Sequence, residues 1–254
     1  MDLRRLTYLA AGCYLLVRTG SDVLGRTKGI PVPARLGAMN TSPERLIRTV
    51  LAVAAVGGPL GYLVGGALSP SIHASGAQAI TSAAAANPAT NTLHVAAFGA
   101  ASYLLPVGAV GLAMVAYPRR PWLATLGGLI AIVGWLPFSA LTALDDLINR
   151  ADGQGGYATL IDRFSTDPVM GSYLIVYVVG HLVAYVMLGI ALRHDIPRWA
   201  AACMIASSPA TVAAFLVPTA ARLPVGSAAL TLLFLGSAAA APAILRWRPT
   251  RHGH

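Results

Sequence analysis

Six stretches of roughly 20 apolar residues dominate the chain, at 49–68, 94–117, 122–144, 171–192, 199–217 and 224–245. At about 1.5 Å rise per residue, each is long enough as a helix to cross a hydrocarbon layer of about 30 Å. None of the six carries Lys, Arg, Asp or Glu. The pattern predicts an all-α polytopic membrane protein, a helical bundle of six transmembrane helices occupying residues 49–246, with a short tail at 247–254. A seventh apolar run, "LTYLAAGCYLLV", has only 12 residues between Arg5 and Arg18 and is too short to span. It reads as a basic interfacial helix with Leu3, Leu6, Ala10, Cys13, Tyr14 and Val17 toward lipid. The alternative is a lipoprotein signal ending in "LAAGC". A linker punctuated by Gly and Pro completes the N-terminal segment, 1–48, and "TSPER" places a helix start near Pro43.

Composition agrees with a lipid solvent: 56% of residues are hydrophobic and 11% charged, against about 25% charged in soluble domains. The net charge of +9 is distributed by topology. With both termini in the cytoplasm, only Arg150, Arg163 and Arg222 of the 18 Lys and Arg residues fall outside, as the bias of basic residues toward cytoplasmic loops requires. Asp145, Asp146, Asp152, Asp162 and Asp167 cluster in one outer loop. The expected setting is the bacterial plasma membrane, with the basic face against anionic headgroups and no nucleic-acid partner. Cys13 and Cys203 lie on or near the cytoplasmic side, so no disulfide is expected. The chain has no CxxC, no HxxxH pair and no phosphate-binding glycine loop, and no metal or cofactor is expected.

Gly57, Gly61 and Gly65 recur at helical spacing in the first span. Such a face admits a close helix neighbour, either within the bundle or on a partner membrane protein. "GLAMVAYPRRPWLA" from Gly111 and "GIALRHDIPRWAA" from Gly189 echo each other: a helix end, a basic turn and an interfacial Trp. Duplication of a hairpin and shared turn chemistry both account for the echo. The order "AITSAAAANPATNTLHVAAFGAASYLLPVGAVGLA", "RPWLATLGGLIAIVG" and "GHLVAYVMLGIALRHDIPRWAA" resembles a large group of uncharacterised multi-pass membrane proteins from actinobacteria. The resemblance covers about residues 70–245 and implies a six-span architecture and an actinobacterial source, with no reaction attached.

Chemistry is sparse inside the spans, which singles out the residues that carry it. Tyr173, Tyr177, His181 and Tyr185 recur every fourth residue and form one seam on the fourth span. An ionisable residue within a span faces protein or water, so His181, flanked by Tyr177 and Tyr185, is a candidate for binding a ligand or moving a proton. The structural alternative is a neutral His181 bonded to a carbonyl freed by a neighbouring proline, with Tyr173 an interface anchor. His94 opens the second span where Asp145 and Asp146 close the third. Their common depth predicts either a general base with an orienting carboxylate or a polar cap exposed to water. Haem clamped by His94 and His181 is disfavoured, since His181 lies about 15 Å below the level of His94. The spans hold no buried acid at mid-depth, which argues against a proton-coupled transporter.

A polar notch between the outer loops, 69–93 and 145–170, and His181 is expected to take a lipophilic small molecule or hydrophobic peptide. The competing class is a non-catalytic scaffold or accessory subunit, or a permease component. The charge analysis has a direct check. In a background lacking Cys13 and Cys203, single cysteines at Ser75 and Gly155 should react with an impermeant thiol reagent in intact cells; labelling only after lysis means the opposite orientation.

Overall fold

A computed structural model describes residues 43–70, 72, 74, 76–150, 159, 162, 163 and 166–247. The N-terminal interfacial segment up to residue 42, Cys13 and the tail beyond Trp247 lie outside them. Among the described residues all regular structure is helical: α1 (Pro43–Leu68), α2 (Ala77–Ala86), α3 (Pro88–Ala116), α4 (Pro121–Arg150), α5 (Pro168–Leu192), α6 (Arg198–Leu216) and α7 (Thr219–Arg246). Six of these are long and apolar enough to cross a membrane, and α2 is the short exception.

Proline sets the helix starts. Pro43, Pro88, Pro121 and Pro168 are first helical residues, and Pro197 and Pro218 immediately precede α6 and α7. A proline there sacrifices an N–H that has no intrahelical partner anyway and presents a pre-set φ. Asp167 adds a side-chain cap, its carboxylate accepting from the N–H groups of Val169 and Met170 at 2.8 and 3.1 Å. The helices therefore overrun the apolar runs. Asp145 and Asp146 sit on the last turns of α4 rather than in a loop, and α3 begins a turn and a half before His94.

The long helices pack in chain order: α1 on α3, α3 on α4, α4 on α5, α5 on α6, α6 on α7, and α7 back on α1. The result is a closed ring in which α3 also touches α5 and α7, while α2 lies against α3 and α4. Lipid tails are as apolar as leucine, so these contacts draw on close packing and hydrogen bonds rather than on the hydrophobic effect. The glycine face of α1 is used for this within the chain. A Cβ at Gly57, Gly61 or Gly65 would meet Leu104, Ala97 or Phe98, all on α3. Of the two uses open to that face, packing within the bundle is the one seen, with α3 against Gly57, Gly61 and Gly65.

The closest crossing joins α4 to α5. A Cβ on Gly134 would lie 2.6 Å from the backbone N of His181, and one on Gly180 would lie 2.7 Å from Gly134 Cα. At the opposite, basic end of the bundle, arginines finish the helices. Arg119 and Arg120 donate to the carbonyls of His194 and Ile190, each at 3.0 Å, near the end of α5. Arg48 donates to Trp247 O at 3.0 Å beyond α7. Guanidinium groups suit these positions, where carbonyls lack partners and the helix dipole is negative. The basic turns therefore bind helix ends as well as favouring one side of a membrane. Arg119 also pairs with Asp195 at 3.4 Å, which ties the two echoed turns together.

The crossing yields a matched pair of substitutions. Gly134→Ala should lower stability by about 1–3 kcal/mol, the usual cost of overpacking. Gly99→Ala, whose Cβ meets nothing within 4 Å, should be neutral or slightly stabilising. Denaturation in mixed detergent micelles measures both, and equal effects would mean that the α4–α5 contact is looser than described.

Candidate functional site

The seam turns inward along α5. Tyr173 is 43% exposed, Tyr177 is half-buried, and His181 and Tyr185 are 4% and 2% exposed. Crossing at Gly134 and Gly180 sets the next residue of each helix, Trp135 and His181, face to face, with ring centroids 4.8 Å apart and planes within 30°. Phe138, one turn along α4, stacks on Tyr177 at 5.2 Å. From α1, Tyr62 places its ring edge-on to Trp135 and Phe138, each at 5.2 Å, and its hydroxyl hydrogen-bonds the Tyr177 hydroxyl. Offset and edge-to-face contacts suit the ring quadrupoles. The space expected as a polar notch is thus filled by aromatic rings from α1, α4 and α5.

His181 donates its Nδ1–H to the carbonyl of Tyr177. That acceptor lies one turn back on its own helix and is not a carbonyl freed by proline, since α5 has no internal proline. A carbonyl oxygen can only accept, so the bond fixes the Nδ1–H tautomer in a neutral ring.

The second histidine sits nearer the α2 end. His94, 5% exposed, donates Nδ1–H to Gly65 O of α1 at 2.6 Å, and its Nε2 lies 3.8 Å from Asp145 Oδ2. His94 and Asp145 are therefore brought together, and His94 is buried rather than an exposed cap. The backbone of α1 is what orients the ring, and Asp145 stands on the other nitrogen. A neutral His94 with Nδ1–H presents a lone pair on Nε2 toward a carboxylate oxygen. At 3.8 Å the two atoms are beyond direct hydrogen-bond length, and a group that hydrogen-bonds either of them from the surface side does so as a donor. Asp145 is 41% exposed, so this corner opens to the surface. Asp146, half-buried, occupies the next position of α4.

The Phe98 ring links the two levels, 4.5 Å from His94, 5.5 Å from Tyr62 and 5.0 Å from Phe138. Sequence reasoning missed Tyr62, Phe98, Trp135, Phe138 and Asn91. Trp135 had a signal, because tryptophan at the middle of a span departs from its preference for the interface. Tyr62 had a weaker one, as a phenol in a glycine-rich span. Three grooves elsewhere on the bundle are almost wholly apolar. They measure about 360 Å³ between α3 and α4 beside Trp247, about 270 Å³ between α5 and α6 beside Pro209, and about 370 Å³ between α4 and α5 beside Val179.

Comparison with protein-family models, with curated proteins and with solved structures finds no match for this chain. The chemistry has to be read from these residues alone.

The phenol pair can be weighed by a double-mutant cycle of Tyr62→Phe and Tyr177→Phe. The coupling should be about 0.6 kcal/mol and no more than about 1.7, the range for hydrogen bonds between membrane helices. Unfolding of the two single variants and the double variant measures it, and strict additivity would mean that the hydroxyls act independently.

Proposed function

We propose that this integral membrane protein holds an acid–base site for a lipophilic molecule at the α2 end of the bundle, in the outer leaflet of a bacterial plasma membrane with both termini cytoplasmic. His94 and Asp145 are its reactive pair. The observation that carries this reading is the approach of His94 Nε2 to Asp145 Oδ2, 3.8 Å, where a buried imidazole held by a backbone carbonyl faces a carboxylate that reaches the surface. A group entering from the bilayer can give its proton to that pair or hydrogen-bond across it, and Gly65 O keeps the ring aligned throughout. Tyr177, His181 and Tyr185 serve as the floor. With Tyr62 and Trp135 they set the position of Phe98 and Phe138 beneath the pair. Binding with or without proton transfer uses the same geometry. A scaffold role is less well supported, since the glycine face of α1 is spent on α3.

The test is what the protein carries. Purified in mild detergent and examined by native mass spectrometry, the wild type should retain a lipophilic molecule that is not bulk phospholipid. His94→Gln and Asp145→Asn should accumulate and melt normally yet lose the bound mass. A wild type that carries nothing but bulk lipid, or variants that retain the same molecule, overturns the reading.

A further inference from the structure

Asn91 lies one turn from His94 on the same face of α3, toward the α2 end. It is 5% exposed, and its buried Nδ2 has no hydrogen-bond partner. Buried amides are normally satisfied, so an unmet donor beside a reactive pair marks a place where an acceptor belongs. We propose that the site selects a lipophile with a neutral oxygen head that both accepts and donates a hydrogen bond, an alcohol or an undissociated carboxylic acid, with Asn91 as the residue that recognises it. This rests on the reading of His94 and Asp145 as a ligand site and adds the chemistry of the head.

Three features converge on that head. Asn91 Nδ2–H calls for an acceptor oxygen. His94 Nε2 and Asp145 Oδ2 both present lone pairs, so a head that meets either of them has to donate. The carboxylate of Asp145 disfavours an anionic head such as a carboxylate or phosphate. An ammonium is attracted to Asp145 but has no lone pair for Asn91. A single hydroxyl or carboxyl can accept from Asn91 and donate its one proton to either Nε2 or Oδ2. The surroundings suit an apolar tail, with Phe98 packed on His94 and Leu93 60% exposed on the adjoining face of α3.

The experiment uses the full chain in nanodiscs of zwitterionic phospholipid and four probes of matched length: 1-dodecanol, dodecyl methyl ether, dodecylamine and dodecane. Dodecanol should bind saturably and at least about tenfold more tightly than the ether, which cannot donate, or the amine, which offers Asn91 no acceptor, a difference of about 1.4 kcal/mol. Asn91→Leu should weaken dodecanol to the level of the ether. Because that variant can fail to accumulate, the wild type labelled with ¹⁵N-asparagine provides an independent readout, in which one side-chain amide should shift with dodecanol and not with dodecane. Equal binding of alcohol, ether and amine, all lost in His94→Gln, would overturn the head assignment and leave the site standing. Unchanged dodecanol binding in Asn91→Leu, or an amide that never shifts, would also overturn it, a bound water or a structural contact then being the partner of Asn91. No saturable binding of any probe, together with no co-purifying lipophile, would remove both readings.

Discussion

Backbone contact between α4 and α5 at Gly134 and Gly180 sets the arrangement of the aromatic and imidazole groups around His181. There is no room for a Cβ at either position, so the two backbones touch there with no side chain between them. In lipid such contact substitutes for the hydrophobic driving force that soluble helices enjoy. Its consequence is angular. Once α5 is pinned at Gly180, His181 faces Trp135, and Tyr177, one turn away, is delivered to Phe138 of α4 and the Tyr62 hydroxyl of α1. Three helices thus share one aromatic cluster, in which the Tyr62 and Tyr177 hydroxyls satisfy each other and His181 uses a backbone carbonyl, as a low-dielectric interior demands of phenols and imidazoles.

The two buried histidines use the same anchoring device and end in different circumstances. Each donates Nδ1–H to a backbone carbonyl, His181 to its own helix and His94 to α1. For His181 the remaining ring surface is packed against Trp135, Tyr177 and Tyr62. For His94 the other nitrogen points at a partly exposed carboxylate. Both rings are buried, and the difference between them is the partner of the second nitrogen.

At the far end, arginines do for the helix termini what tyrosine and histidine do for the interior. Arg48, Arg119 and Arg120 bridge between helices by donating to carbonyls at or just beyond helix ends. The same charges that favour one side of a membrane also cross-link the ring.

The six spans, the proline start of α1 and the inward turn of the α5 seam were legible in the sequence, because each follows from local rules: runs of apolar residues, the φ of proline and the cost of an imidazole in lipid. The juxtaposition of His94 with Asp145 was legible too, from shared depth on consecutive helices. What closes around those residues was not. In a soluble protein the apolar stripe tells which face is buried, but here lipid and protein both select apolar faces, so hydropathy does not say that Tyr62 meets Tyr177 or that Trp135 covers His181. Likewise, a glycine face announces close packing without naming its partner, and α3 rather than another protein fills it. Membership of a span is a property of one segment, which composition determines. The neighbours of a side chain depend on the rotation of two helices about their axes, and only the tertiary contacts, through glycine clearance and paired hydrogen bonds, decide that angle.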